Sequence, residues 1–174
     1  MQRSAGYIFA ALLIVALSPV ARADEPAWVG VFINDEKSDA GVPQAIEAAI
    51  ADMNFLTRSV ARGRLKKTNT LSQRITITRQ TGTISVRFDE RKPAEMPADG
   101  SVAKWTGEDG EQFDVTARAE PGRLVQTFKA EDGQRMNTFI AEDAQRLTLE
   151  VQVTSPRLPK PLTYTVHYRR AADQ

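Results

Sequence analysis

The feature that most constrains this chain is a regular series of short β-type runs between Gln73 and Arg170. Runs of alternating apolar and polar residues are separated by turn pairs at intervals of roughly eleven residues. These turn pairs are Asp109-Gly110, Pro121-Gly122, Asp132-Gly133 and Asp143-Ala144. The spacing predicts an antiparallel β-meander, which has to close into a barrel or fold into a sandwich to bury its edges and its apolar face. A barrel would enclose a cavity, and a cavity suggests a ligand.

Nine strands are predicted, which makes the fold mainly β. They are residues 28–33, 75–77, 84–88, 102–106, 113–117, 124–129, 136–141, 147–153 and 162–170. The second and third form a hairpin around Gly82. Residues 91–100 are predicted to be a loop, because they contain Pro93, Pro97 and Gly100.

Between the first two strands, apolar residues recur at steps of three and four, which predicts an amphipathic helix. Val42 and Val60 share one bearing at about 100° per residue, so the phase favours one continuous helix of about five turns. Asp39 is a plausible N-cap, and Gly63 lies near the expected end. Such a helix either covers one mouth of the barrel or lies along its outside.

The first 23 residues have the pattern of a cleaved signal peptide. Arg3 precedes an apolar run from Tyr7 to Leu17, and the run leads to the small-x-small pattern Ala21-Arg22-Ala23. The run is too short for a membrane-spanning helix, which needs about 20 apolar residues. The remainder, residues 24–174, suits a single domain.

Cysteine content and net charge indicate the cellular compartment and the class of partner. Cysteine is absent, so the chain has no disulfide framework and no cysteine-based metal site or nucleophile. Export without disulfides favours the bacterial periplasm. Removal of the leader leaves 21 basic and 22 acidic residues, a net charge of about −1. A nearly neutral domain argues against nucleic acid as a partner.

No motif indicates catalysis, a metal or a cofactor, so a non-enzymatic protein is predicted. His167 is the only histidine, and the alternation of its strand places it on the wet face without a local acid or nucleophile. The acidic groups at residues 108–111 and 131–133 lack the spaced carboxylates that wrap calcium. Asp-Gly pairs in these groups are what tight hairpin turns require.

Two groups of residues are candidates for binding. Tyr164, Tyr168 and Arg170 share the inner phase of the last strand and could meet a carboxylate or phosphate head group, unless the hydroxyls simply reach the barrel rim. A second group could dock on anionic lipid or an acidic partner. It consists of Arg58, Arg62, Arg64, Lys66 and Lys67. Cations at a helix C-terminus also complement the helix dipole, which is the structural alternative for this group.

The order of elements resembles the calycins, the group of lipocalins and fatty-acid-binding proteins. A tryptophan-bearing first strand is followed by a helical segment and then by a meander that ends on a strand with tyrosine and arginine. Trp28-Val29-Gly30 inverts the lipocalin Gly-x-Trp pattern, and Tyr168-Arg169-Arg170 inverts the Arg-x-Tyr pattern of fatty-acid-binding proteins. The resemblance is architectural and implies a barrel that holds a lipid-like ligand.

Two functions remain open from the sequence. In the first, the chain is a periplasmic binding protein that holds a lipid-like or amphipathic small molecule in the barrel, with the helix as its lid. In the second, it is an envelope interaction or structural protein whose narrow barrel is packed solid. The inner face has enough leucine, isoleucine, phenylalanine and tyrosine to fill such a barrel, so the sequence does not decide between them.

Overall fold

The computed structural model describes residues 25–35 and 41–172. The helices are α1 (Val42–Ile50) and α2 (Phe55–Thr68). The strands are, in chain order, β1 (Gly30–Asn34), β2 (Arg74–Gln80), β3 (Thr83–Phe88), β4 (Ala94–Pro97), β5 (Ala103–Thr106), β6 (Gln112–Glu120), β7 (Arg123–Ala130), β8 (Gly133–Ala141), β9 (Arg146–Thr154) and β10 (Leu162–Arg170). The predicted signal peptide and the predicted N-cap Asp39 lie outside the described residues. Over the described ranges, neither helix has the length and apolar character that a membrane span requires.

All ten strands form one antiparallel sheet that curves into a nearly closed barrel. Consecutive strands pair, except β4 and β5, and the sheet joins its first strand to its last where Phe32 pairs with Arg170. β4 and β5 end the hydrogen-bonded order and lie beside each other without a ladder between them. The predicted single mainly β barrel is therefore confirmed, and the sandwich is not formed.

The antiparallel order gives the barrel two different ends. The helix end carries α1 and α2 together with the turns β3–β4, β5–β6, β7–β8 and β9–β10. The far end carries the turns β2–β3, β6–β7 and β8–β9 and the β4–β5 connection. A side chain near the start of β8 or β10 therefore lies near the helix end.

The strand that the sequence did not predict is β4, which lies inside the segment predicted to be a loop. Ala94 and Met96 lie on either side of the exposed Glu95 and are buried against β3. Pro97 is the last residue of β4 and lies beside the gap between β4 and β5. A proline at the end of an edge strand does not interrupt a ladder, so it was not a reason to exclude a strand.

Two helices replace the single long helix that the apolar phase predicted. The Asn54 side chain accepts the backbone N–H of Thr57 at 3.0 Å and begins α2. Arg58 donates to the carbonyl oxygens of Ala51 and Met53, which lie in the break between the helices. A capping asparagine and a long cation thus stabilise groups that an interrupted helix leaves without backbone partners.

The burial of the apolar residues changes at the same break between α1 and α2. The four apolar residues on the inner side of α1 are buried. By contrast, Leu56 and Val60 on α2 are 77% and 64% exposed, and Leu65 is the buried residue of α2. The in-phase spacing from Val42 to Val60 therefore spans two helices that have different environments.

Large apolar side chains fill the barrel interior in its far half. The side chains that fill it are almost completely buried, and they are Ile77, Ile84, Met96, Leu124, Phe139 and Leu147. Trp28, in the turn before β1, and Phe32 of β1 add to the same core, so the predicted first strand begins two residues too early. The helix half is not filled in this way, and this difference positions the candidate site.

Candidate functional site

A cavity of about 690 Å³ occupies the helix half of the barrel. Its mouth is framed by residues 67–72 at the end of α2, by Arg91 and Lys92 in the β3–β4 turn, and by residues 107–111 in the β5–β6 turn. Ligand pockets typically enclose about 300–1,000 Å³, whereas a well-packed core leaves few voids larger than a water molecule. The cavity is therefore large enough for a small organic molecule.

One wall of the cavity is a hydrogen-bonded polar network centred on Arg135. Its Nε donates to Asn137 Oδ1 at 2.9 Å, and its Nη2 donates to the Tyr164 hydroxyl at 3.1 Å. Its Nη1 donates to Asn69 Oδ1 at 3.0 Å and to the Thr68 carbonyl at 3.3 Å. Four bonds fix the guanidinium in place beneath the C-terminal end of α2.

Strand alternation and one helix cap bring these residues together. Arg135 and Asn137 take inward positions of β8, and Tyr164 takes an inward position of β10. Asn69 is the C-cap of α2, and its Oδ1 also accepts the Tyr164 hydroxyl at 3.2 Å. The end of α2 is thereby joined to side chains from inside the barrel, so it lies over the barrel opening.

The polar network continues into the buried interior. Asn137 Nδ2 donates to Gln126 Oε1 at 3.0 Å, and both side chains are almost completely buried. Gln126 Nε2 in turn faces Met96 Sδ at 3.6 Å, which is a weak acceptor. Buried amides that are bonded to each other cost little, since their polar groups are satisfied.

The adjoining wall is aromatic, and Phe128 of β7 pairs directly with Arg135 of β8. The ring centroid of Trp105 lies 5.8 Å from that of Phe113 and 5.4 Å from that of Phe128, and Phe113 and Phe128 meet edge to face at 5.9 Å. Trp105 Nε1 donates to the Pro93 carbonyl at 3.0 Å, which ties β5 to the β3–β4 turn across the gap in the ladder. A polar wall beside an aromatic wall suits an amphipathic ligand.

Tyr164 and Tyr168, two of the sequence-predicted site residues, line this cavity. Tyr164 belongs to the Arg135 network, whereas the Tyr168 hydroxyl donates to the Ser72 carbonyl at 3.0 Å. Burial raises the pKa of Tyr168, and the neighbouring Tyr164 raises it further. Both hydroxyls are thus bonded inside the protein rather than extended into solvent at the rim.

Arg170 is not brought together with the two tyrosines. Its guanidinium lies at the far end, 4.7 Å from the ring centroid of Phe32, and does not line the cavity. It donates to the carbonyl oxygens of Ala27, Val29 and Ala144 at 2.7, 2.9 and 2.6 Å. These contacts bind the segment before β1 and the β8–β9 turn to the end of β10.

Gly30 makes room for that guanidinium. Its φ is +144°, a value that residues with a side chain rarely adopt. A Cβ at this position would lie 2.1 Å from Arg170 Nη1. The glycine in the Trp28-Val29-Gly30 pattern therefore serves the fixation of the barrel at its far end.

The predicted docking cations divide into two sets. Arg58 and Arg62 are partly buried, and Arg62 forms two bonds of 2.6 and 2.7 Å to Glu47 of α1. This bond lowers the pKa of Glu47 and raises that of Arg62. The remaining three are exposed on α2, and they are Arg64, Lys66 and Lys67.

Sequence reasoning missed Arg135, Asn69 and Asn137. A usable signal was present for two of them, because Arg135 and Asn137 share the phase of Phe139 on one strand. Polar residues at the same inward phase as a core phenylalanine indicate a wet stretch of an inner face. Asn69 carried no such signal, since its role depends on where α2 ends.

The predicted turn pairs and the exposed histidine are also placed by the structure. Gly110 and Gly122 have φ values of +84° and +76° in tight turns. His167 is exposed, with its Nδ1 3.0 Å from Thr148 Oγ1, and Thr148 donates to Glu142. Because the Thr148 proton is directed to the carboxylate, His167 is not placed to activate that hydroxyl. Within residues 25–35 and 41–172, no group of three potential metal-ligating side chains occurs.

Comparison with known proteins supports the fold rather than a family membership. No family model matches the sequence, and no curated protein matches it. Fatty-acid-binding protein 1 of Echinococcus granulosus is 14% identical, with a TM-score of 0.55 over 84% of this chain and 98% of that one. The brain fatty-acid-binding protein of Drosophila melanogaster is 14% identical, with a TM-score of 0.54 over 83% and 99%.

A third similar structure carries a different description. Secretory abundant heat soluble protein 4 of Ramazzottius varieornatus is 13% identical, with a TM-score of 0.51 over 85% of this chain and 97% of that one. At these identities the likeness concerns the fold. The architectural resemblance to calycin-type barrels is confirmed.

Proposed function

We propose that this protein is a non-enzymatic carrier that binds a lipid-like or other amphipathic small molecule in the helix half of its barrel. The observation that carries the proposal is the cavity of about 690 Å³, which is lined by a polar wall around Arg135 and an adjoining aromatic wall around Trp105. The structural neighbours described as fatty-acid-binding proteins add support, since their barrels share this fold.

Trp105 provides the test, because it lines the cavity whereas Trp28 lies in the far core. A bromine-labelled twelve-carbon amphipath should quench Trp105 fluorescence in a saturable manner. The Trp105→Phe variant, which keeps Trp28, should lose most of this quenching. Saturable binding that does not quench Trp105 would place the ligand elsewhere. Absence of binding across a panel of chain lengths would exclude the carrier function.

A second candidate is an interaction or structural protein of the cell envelope. It draws support from the far half of the barrel, whose interior holds fully buried apolar side chains such as Phe139 and Leu124. A carrier should retain a co-purifying small molecule in native mass spectrometry of protein purified from its own cells. A clean ligand-free mass, together with failure of the Trp105 test, would favour the interaction protein.

We also propose that the chain is exported to the periplasm after cleavage behind Ala23. Support comes from the leader pattern of residues 1–23 and from the absence of cysteine. Intact-mass measurement of protein from a periplasmic fraction should give a chain that begins at Asp24. Recovery of the full-length chain in the cytosolic fraction would contradict export.

A peripheral contact with anionic membrane is part of the same proposal. Leu56, Val60 and Arg64 follow one another at four-residue spacing on α2, with Lys67 close to the same bearing. Apolar side chains beside cations on one exposed helix face suit the surface of an anionic bilayer. The same α2 frames the cavity mouth, so membrane contact would bring the mouth to the source of the ligand.

Vesicle sedimentation tests this contact. Binding to phosphatidylglycerol vesicles should exceed binding to phosphatidylcholine vesicles, and Leu56→Ser with Val60→Ser should weaken it. Val102→Ser is the matched control, because Val102 is 59% exposed and lies outside α2. Equal losses in the control and in the double variant would contradict docking through α2.

A further inference from the structure

Four cations line the cavity in the described part of the chain, and Arg135 differs from the other three. Lys67, Arg91 and Lys92 are exposed and belong to the elements that frame the mouth. Arg135 is partly buried and points inward from β8. It is therefore the cation that a molecule inside the cavity would meet.

The charge of Arg135 is not neutralised by the residues around it. Its four bonds go to oxygens of neutral groups, namely two amides, one hydroxyl and one backbone carbonyl. Over residues 25–35 and 41–172, no carboxylate forms an ion pair with it. A guanidinium has five N–H donors, so one donor on Nη2 is left beside Tyr164. A partly buried cation with an open donor is a site for an anion.

The rest of the cavity does not offer a comparable position. Deeper in β8, Asn137 is bonded to Gln126, and the next inward residue is the core side chain Phe139. Val166 follows Tyr164 on the inner face of β10. At the far end, the guanidinium of Arg170 is occupied by backbone carbonyls.

We propose that the open Nη2 donor of Arg135 holds the carboxylate head group of a single-chain ligand close to the cavity mouth, next to Tyr164, whose own hydroxyl proton is donated to Asn69. The tail then lies against the aromatic wall and Val166. This assignment rests on the proposed carrier function and adds the head-group chemistry and its position. One guanidinium neutralises the single charge of a carboxylate, whereas a phosphate monoester carries about −1.5 to −2 at pH 7.

Arg135 also has a structural role that the test has to separate. Its bonds to Thr68 and Asn69 place a cation at the C-terminal end of α2, where it complements the helix dipole. Loss of this contact would destabilise the protein without changing the preference for one head group over another. Head-group discrimination is therefore the decisive quantity.

The experiment measures the affinity of the mature protein for dodecanoate, dodecanol and dodecyl phosphate by calorimetry. Dodecanoate should bind about tenfold to a hundredfold more tightly than dodecanol, as expected for charge-assisted hydrogen bonds. Arg135→Met should abolish this difference by weakening dodecanoate alone, and Arg135→Lys should restore part of it. Arg118→Met is the control, because Arg118 carries the same charge on the outer face of β6.

The outcomes separate the two proposals. If none of the three compounds binds, the carrier function fails. If dodecanoate and dodecanol bind equally, or if Arg135→Met keeps the difference, the carrier stands and the Arg135 site is wrong. Tighter binding of dodecyl phosphate would overturn the carboxylate assignment. Should Arg135→Met fail to fold, Arg135→Gln decides, since it keeps hydrogen-bond donors without the charge and should remove the preference for dodecanoate while leaving dodecanol unchanged.

Discussion

At the scale of single residues, Arg135 and Arg170 have different roles because their partners differ. Arg170 meets three backbone carbonyls and an aromatic ring at the far end, and these contacts are a structural anchor. Arg135 meets side chains of the cavity wall and keeps an open donor. Strand alternation by itself predicts the same inward direction for both arginines, so it does not distinguish an anchor from a binding residue.

Replacing Arg170 tests the anchoring role. We expect Arg170→Met to lower the free energy of unfolding by about 2–3 kcal/mol, because it removes charge-assisted bonds to three carbonyl groups. Urea unfolding measures this loss, and ligand affinity should not change. Arg169→Met is the control, since Arg169 is exposed on the outer face of β10. An equal loss in both variants would show that Arg170 is not an anchor.

We expect Tyr168 to make the free energy of unfolding fall at alkaline pH. Because burial raises its pKa above the ordinary value of 10.0, the folded state binds its proton more tightly than the unfolded state does. The corresponding stability is complete below pH 10 and is lost as the pH rises toward the folded pKa. Chemical unfolding between pH 8 and pH 11 should show a smaller decline for Tyr168→Phe than for the native chain. Parallel declines would contradict this assignment.

At the scale of elements, the break between α1 and α2 decides which surfaces are free. α1 turns its apolar side to the barrel, while α2 exposes Leu56 and Val60 and reaches the mouth with its C-terminal end. A single straight helix could not do both, because its apolar stripe would have to face one surface throughout. The element that carries the membrane proposal therefore exists only because the helix is interrupted.

Asn54 is the residue that should control this element. We expect Asn54→Ala to cost about 1 kcal/mol by leaving the Thr57 N–H without its capping acceptor. Amide hydrogen exchange should become faster in the first turn of α2, while β8 and β9 should be unchanged. Asn54→Ser retains a capping oxygen and should behave nearly as the native chain. Faster exchange in the serine variant as well would argue against the cap.

At the scale of the whole molecule, a half-filled barrel reconciles stability with a binding site. The far half supplies a close-packed apolar core, which stabilises the fold without help from disulfides. The helix half contains the cavity, and part of the cavity wall consists of hydrogen-bonded polar side chains. Filling this space should therefore add to the stability of the entire barrel.

Ligand linkage tests that expectation. A ligand that binds the folded state only, present at 100 times its Kd, should raise the free energy of unfolding by about 2.7 kcal/mol. Thermal unfolding with increasing dodecanoate should show a Tm that rises with concentration in the native chain and in Arg118→Met. The rise should be smaller for Arg135→Met at equal ligand concentration. A Tm that does not change with ligand would contradict the carrier function.

Much of the fold followed from the sequence by itself. The two-residue alternation on either side of Gly82 and of the Asp-Gly turns determined the order of most strands and the mainly β class, because local sterics and burial on one face act over a few residues. The same patterns placed Tyr164 and Tyr168 on the inner face. Local patterns gave two wrong predictions. They predicted one continuous helix, which is interrupted at the Asn54 cap, and they predicted a loop where an edge strand ends at Pro97.

Only the tertiary structure decided what the inner face contains. Strand phase states that a side chain points inward, but strand tilt and register determine whether it meets a packed core, as Phe139 does, or a cavity, as Arg135 does. Asn69 meets Tyr164 across 95 residues of chain, and no local pattern encodes that contact. The candidate site depends on such long-range meetings, which is why its central residue was not found from the sequence.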